Sequence, residues 1–309
     1  MANACAQRST LVWAAIEGGG TKFVCALVDE GGAILRQERF PTEAPEAVVE
    51  KLCAFYDDTQ LRSIGLACFG PLELRSDGRT PYGSLLTTPK AGWSGFPLGE
   101  VLSSRLNAPL IAETDVNAAA LAEARLGAAR GCSNVVYVTV GTGVGFGILV
   151  NGTPIHGLLH PELGHLLVRP TRDANGDSDT FAGNCPFHGT CLEGLISGPA
   201  IAKRYGQRGK EVPAEHSADL IALLANYLAQ GLFAALLAVA PERIVLGGGV
   251  GSVPSLLPAT REALSKLAAG YYTRPEFTRN IETFLVRSAL PDAGLQGALL
   301  LARTVENRH

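Results

Sequence analysis

A chain of 309 residues suggests about two domains, and a makeup of 47% apolar and 18% charged residues suits globular units with full cores. The formal net charge is −3 with no basic block, so neither nucleic acid nor an anionic membrane is an expected partner. The apolar stretch Leu220–Ala240 is interrupted by Asn226, Gln230 and Gly231, the pattern of a buried core helix rather than a membrane span.

Met1–Thr10 carries one Arg and no long apolar run, and no signal peptide is expected. Leu11–Ile16, Phe23–Val28 and Ala33–Phe40 read as three strands; a glycine-rich loop joins the first two, and the turn Asp29-Glu30-Gly31-Gly32 joins the last two. Pro45 opens a helix with Val48, Val49, Leu52 and Phe55 on one face. Ile64–Phe69 and Leu110–Ile111 are short buried strands, and Val116–Leu126 is an Ala-rich helix. The layout then recurs. Val135–Val140 is an apolar strand, Gly141-Thr142-Gly143-Val144-Gly145 a tight loop, and Phe146–Val150 a return strand before the turn Asn151-Gly152. Strand, Gly/Thr loop, strand and turn thus occur twice, about 120 residues apart, which predicts two related α/β lobes. An irregular segment over Arg172–Asn184 follows, then helices from about Cys191 and Ser217, a strand at Arg243–Leu246 and a last helix from about Asp292. The expected domains are residues 1–118 and 119–290, the second with a Cys/His-rich insertion, and the final helix (about 291–309) is expected to pack on the first.

Glu17-Gly18-Gly19-Gly20-Thr21-Lys22 joins two strands. Glycines let the backbone bend sharply and offer N–H groups to phosphate oxygens; Thr21 adds a hydroxyl and Lys22 a cation. The spacing is not that of a P-loop, and a strand follows instead of a helix. Taken alone, this loop reads equally as a ligand-free hairpin. Gly141-Thr142-Gly143, in the matching place of the second lobe, favours the phosphate reading, because two such loops facing each other across a cleft clamp a polyphosphate. A third cluster, Gly247-Gly248-Gly249, follows the strand Arg243–Leu246, where ligands of α/β sheets gather.

The paired loops and the later triple glycine resemble the actin/hexokinase-like (ribonuclease H-like) two-lobe ATPase fold. Glu17-Gly-Gly-Gly-Thr-Lys22, Glu113-Thr-Asp-Val-Asn-Ala118 and His160-Pro-Glu-Leu-Gly-His165 together resemble the ROK family of sugar kinases and regulators. With Cys185-Pro-Phe-His-Gly-Thr-Cys-Leu-Glu193 the similarity is greatest to its bacterial zinc-containing fructokinases, and it runs from about Ala15 to Gly297. The resemblance implies transfer of the γ-phosphoryl group of ATP to fructose, giving fructose 6-phosphate and ADP. It also implies a cytoplasmic homodimer with Mg²⁺ beside the nucleotide, near Glu17 and Asp115. ATP contacts are implied at Gly19, Gly20, Thr21, Lys22, Thr142, Gly143, Pro199, Lys203, Gly247, Gly248, Gly249, Val250 and Gly251.

Asp115 lies between the strand ending near Ala112 and a helix. An Asp there suits N-capping; it also suits the carboxylate that phosphoryl transfer needs to orient an alcohol and accept its proton. The resemblance decides for the catalytic base. Two departures stand beside it. Family glucokinases usually carry Asn where this chain has Thr114, which points away from glucose, and many members have Asp where this chain has Glu17, whose longer arm would reach Mg²⁺ through water.

Seven cysteines, an odd number with no regular framework, point to a reducing compartment. Cys5, Cys25, Cys53, Cys68 and Cys132 read as buried hydrophobes or surface thiols. Cys185, His188 and Cys191 crowd into seven residues, with His165 twenty earlier. This His₂Cys₂ set matches tetrahedral Zn²⁺ in a closed, structural site; buried thiols and satisfied histidines are the alternative. Zinc there would pin the loops bearing Glu162, His165 and Glu193, which with Thr114 and Asp115 form the sugar-binding set implied mostly by the resemblance. His160 serves the sugar or only its loop. Two other functions stay open. One is a kinase of the same family for glucose, mannose or an N-acetylated amino sugar. The other is a non-enzymatic sugar-sensing regulator; those of the family carry a helix-turn-helix domain in front, for which a first loop at residue 17 leaves no room.

Overall fold

The computed structural model describes residues 12–172, 176–206 and 217–305; the segment read for a signal peptide, with Cys5, lies outside them. The chain divides into two compact units, one holding the residues up to Ala118 and again from Gly294, the other Ala119–Ala293.

In the first unit, β1 (Val12–Gly18), β2 (Lys22–Val28) and β3 (Ile34–Pro41) form an antiparallel meander. After α1 (Pro45–Tyr56), β4 (Leu61–Cys68) joins β1 in parallel; after α2 (Leu98–Arg105), β5 (Leu110–Thr114) joins β4 in parallel. The sheet order is β3-β2-β1-β4-β5. β1 and β4 are buried along nearly their whole length, which is why they read as unbroken apolar runs. α1 covers the sheet with Val48, Val49, Leu52, Phe55 and Tyr56. Next comes α3 (Asp115–Arg125), which begins one residue earlier than its Ala-rich pattern suggests.

The second unit holds β6 (Val135–Val140), β7 (Val144–Val150), β8 (Thr153–Pro154), a 3₁₀ turn at Leu163–His165, α4 (Leu192–Ile196), α5 (Gly198–Tyr205) and α6 (Ser217–Val239). It continues with β9 (Arg243–Gly247), α7 (Leu256–Ala268), the short α8 (Pro275–Thr278) and α9 (Ile281–Phe284), and β10 (Leu285–Arg287). Its sheet runs β10-β9-β6-β7-β8. Counted from each unit's own first strand, both sheets have the order 3-2-1-4-5, with the meander antiparallel and the two later strands parallel. The repeated strand–loop–strand pattern is therefore the visible part of a repeated five-stranded topology.

α6 is long and apolar enough to cross a membrane, and 56% of its most apolar window is buried in the protein. Leu224, Leu228, Leu232 and Leu236, spaced one helical turn apart, form a stripe inside the core of this unit. Two local corrections concern loops. β7 starts at Val144, which pairs with Val140, so the tight loop is Gly141–Gly143 alone. The helix expected from Cys191 is two helices broken at Ser197, whose hydroxyl accepts the Ala200 N–H at 3.4 Å, with Pro199 in the first turn of α5.

The last helix, α10 (Ala293–Thr304), lies on the first unit's sheet. Ser63 on β4 donates to the Ala302 carbonyl at 2.7 Å, and the Arg303 guanidinium sits 4.8 Å over the Trp13 ring of β1.

Candidate functional site

In the first unit, strand register lines up the relevant ends. Gly18 pairs with Cys68, and Cys68 with Thr114, so the loop after β1 and the helix after β5 leave the same sheet edge, two strand spacings or roughly 10 Å apart. The loop is closed by Gly19 N–H to the Lys22 carbonyl at 2.8 Å and braced by Thr42, which donates through its hydroxyl to the Gly19 carbonyl at 2.7 Å. Thr21 and Lys22 are exposed. Glu17 lies below the loop, its carboxylate against Gly294 in the first turn of α10, where the helix dipole favours an anion.

Asp115 opens α3, but Thr114 makes the cap. The buried Thr114 hydroxyl accepts the Asn117 N–H at 3.2 Å, while the buried Glu113 carboxylate accepts the Thr114 N–H at 2.8 Å and the Asn117 side-chain amide at 3.0 Å. The capping alternative for Asp115 gives way to this division of labour. Asp115 Oδ1 accepts the neighbouring Val116 N–H at 2.9 Å, and burial pushes its carboxyl up to about 6. A carboxyl raised toward neutral pH is matched to proton transfer.

In the second unit the glycine clusters converge. The Val250 and Gly251 N–H groups both donate to the Val140 carbonyl, at 2.9 and 3.0 Å, folding Gly247–Gly251 over the end of β6. Gly248, at φ +85°, makes the turn that an L-side chain would strain. The Gly198 N–H donates to the Gly141 carbonyl at 2.7 Å, which brings α5 and Pro199 to the same loop. Thr142 is exposed. The Lys203 ammonium donates to the Gly183 carbonyl at 3.0 Å.

His165, Cys185, His188 and Cys191 are brought together, with their ligand atoms all within 4.8 Å of one another, as a group that could hold a metal ion. Cys185 Sγ lies 3.7 Å from His165 Nδ1 and 3.8 Å from His188 Nδ1, and Cys191 Sγ is 3.6 Å from His165 Nδ1. Burial pushes the Cys191 thiol up to about 11. Beside this cluster, Glu162 Oε1 sits 3.3 Å from His160 Nδ1, and Glu193 Oε2 accepts the Val144 N–H at 3.0 Å.

The model of the ROK family matches residues 13–305. The chain belongs to the ROK family. Among ROK relatives, a fructokinase of Zymomonas mobilis is 40% identical over 96% of this chain and 98% of its own, and a fructokinase of Pediococcus pentosaceus is 36% identical over 94% and 96%. A ROK glucokinase from Streptomyces griseus, solved with glucose and AMPPNP, is 26% identical with a TM-score of 0.75, covering 95% of this chain and 99% of its own. The fold is accordingly the actin-like, two-lobe α/β fold of ROK hexokinases.

Two residues at these loops escape sequence reasoning. Lys90 donates its ammonium to the Gly20 carbonyl, from a stretch with no periodicity to mark it. Gly198 lies in Ser197-Gly198-Pro199, which reads as an ordinary helix start; its N–H bond to the Gly141 carbonyl is a tertiary contact.

Proposed function

We propose that this protein is an ATP-dependent fructokinase, converting D-fructose and ATP to fructose 6-phosphate and ADP. The observation that carries the kinase reading is Asp115, a carboxyl raised to about 6, relieved of capping by Thr114 and level with the first glycine loop. Fructose is favoured by the full-length similarity to two fructokinases. Asp115 accepts the proton of the attacking hydroxyl, and the backbone N–H groups of Gly19–Lys22, Gly141–Gly143 and Gly247–Gly251, with Thr21, Lys22, Thr142 and Pro199, hold ATP. Lys203 joins this set with the ammonium donors that its bond to the Gly183 carbonyl leaves over. Mg²⁺ accompanies ATP, with Glu17 holding it through water and Asp115 beside it.

The sugar contacts are Thr114, Glu162, His165 and Glu193; with Glu193 Oε2 on the Val144 N–H, Oε1 is the oxygen to meet a hydroxyl. For the metal we favour zinc. Bonds of about 2.3 Å to sulfur and 2.0–2.1 Å to nitrogen at the tetrahedral angle separate S and N by about 3.6 Å, and the observed separations are 3.6–3.8 Å. A bound cation would also bring the Cys191 thiol to thiolate. With every position taken by protein, such an ion cross-links chain segments and leaves no place for chemistry. Residues 1–118 with the final helix form one lobe and 119–290 the other, in a cytoplasmic homodimer without nucleic acid or membrane partners.

The test is a panel of hexoses with Mg·ATP in a coupled ADP-release assay. Fructose should give the highest kcat/KM. If glucose, mannose or an N-acetylated amino sugar exceeds it tenfold, the substrate is wrong and the kinase stands; a hexose bound tightly with none phosphorylated makes the protein a sensor.

A further inference from the structure

The segment that carries the metal ligands brackets one residue, Val144, from two sides. On one side, the 3₁₀ turn bearing His165 packs so closely that a Cβ on Gly164 would stand 1.8 Å from the Val144 carbonyl oxygen; only glycine permits that approach. On the other side, Cys191 directly precedes α4, and Glu193 in its first turn accepts the Val144 N–H at 3.0 Å. The two sides are tied to each other where Leu167 bridges to Cys191 and the Leu192 N–H donates to the Leu166 carbonyl at 2.9 Å. Val144 is the first residue after Gly141–Gly143, and a Cβ on Gly143 would stand 2.6 Å from Glu193 Oε2. The carboxylate thus forms one wall of the loop.

We infer that Glu193 is a positioning residue that transmits metal loading to the second glycine loop, so that an ion held by His165, Cys185, His188 and Cys191 sets nucleotide affinity without touching nucleotide. The physical basis is the place of the four ligands, at the two ends of an irregular segment. Between the 3₁₀ turn and α4 the described chain has no helix or ladder beyond isolated bridges. Its first half is held to α5 and α6 by Asp179 on Arg204 and Tyr227 and by Arg169 on Gln230, and a four-ligand centre would tie its last turn, Cys185–Cys191, to His165. Without that cross-link, Cys191 and the start of α4 gain freedom, Glu193 leaves Val144, and the loop's N–H groups lose their fixed aim at an anion. The nucleotide consequence rests on the proposed reading of Gly141–Gly143 as a phosphate loop; the mechanical link does not.

Two measurements separate these. Hydrogen exchange at the Val144 amide should be protected in zinc-loaded protein and accelerate when a chelator strips the metal, because its partner is the Glu193 carboxylate. Calorimetry with Mg·AMPPNP should show stripped wild type and loaded Glu193→Ala each about tenfold weaker than loaded wild type, the size of one lost hydrogen bond. Stripping Glu193→Ala should weaken it less than about twofold further, since the two changes break one link. Loaded Glu193→Gln, whose amide oxygen still accepts the Val144 N–H, should stay within about twofold of wild type. Unchanged Val144 exchange on stripping overturns the inference, and so do two losses that multiply. If exchange responds as expected while Thr142→Val binds Mg·AMPPNP normally, the link stands and the phosphate-loop reading fails. Should Glu193→Ala not fold, Val144 exchange in stripped wild type and in Glu193→Gln decides.

Discussion

The Thr114 hydroxyl accepts the Asn117 N–H, which makes Thr114, and not Asp115, the residue that closes the first turn of α3. Thr114→Ala should therefore cost about 1 kcal/mol of stability, the usual loss for an N-cap, while Thr114→Asn should cost little. Denaturant midpoints at constant m-value decide it; equal midpoints for all three proteins would remove the cap.

Asp115→Asn should fold and bind ATP while kcat falls by ~10²–10⁴, as expected for a lost general base. In wild type, kcat/KM should decline below pH 6, where the carboxyl with its raised value of about 6 becomes protonated. The stability effect has the opposite sense. A carboxyl raised from 3.8 to about 6 binds its proton more tightly in the fold than in the unfolded chain. Lowering the pH through 6 toward 3.8 therefore moves the stability difference between wild type and Asp115→Asn in favour of wild type. Denaturation of both proteins at pH 7.5 and pH 5 measures the sign, and a difference independent of pH would place Asp115 in an ordinary solvated setting.

Metal analysis should find about one zinc per chain. Cys185→Ser and His188→Ala should lose it and unfold at lower denaturant, with activity falling in consequence. Brief EDTA inhibition should be relieved at once by Mg²⁺, because Mg²⁺ serves the nucleotide while the thiolate site keeps its ion. Zinc-free protein of normal stability would contradict the cross-linking role.

Glu162→Ala should raise the KM for fructose far more than the KM for ATP, and Thr21→Val and Thr142→Val should do the reverse. Each change removes a polar partner worth up to about tenfold in binding. Equal effects on both substrates would dissolve the division between sugar and nucleotide residues.

What was legible in the sequence was local. Unbroken apolar runs marked β1, β4 and β6, glycine and threonine marked the two loops, and ligand spacing marked Cys185, His188 and Cys191. α2, α7 and β10 went unread, each for its own reason. α2 spans only Leu98–Arg105 and buries Leu98, Gly99 and Leu102, too few positions to establish a period. α7 starts behind Val253-Pro254-Ser255 with a proline inside its first turn, which reads as a loop. β10 is three residues whose strand character comes from pairing with β9. The site details that escaped are all tertiary: Lys90 on Gly20, Glu17 against α10, Glu193 on Val144. No periodicity records a contact between residues 49 positions apart, as Glu193 and Val144 are.

The bond from Ser63 to Ala302 joins residues 239 positions apart, and this has a consequence for how the protein is made. The first sheet leaves the ribosome long before the helix that covers it. At 5–20 residues per second, the interval is on the order of tens of seconds. During that time, while the second unit is being made, Trp13, Ser63 and Gly65 face solvent or a chaperone. The unit translated first is thus the one finished last, and a ribosome stalled before residue 293 would hold a first sheet still missing α10.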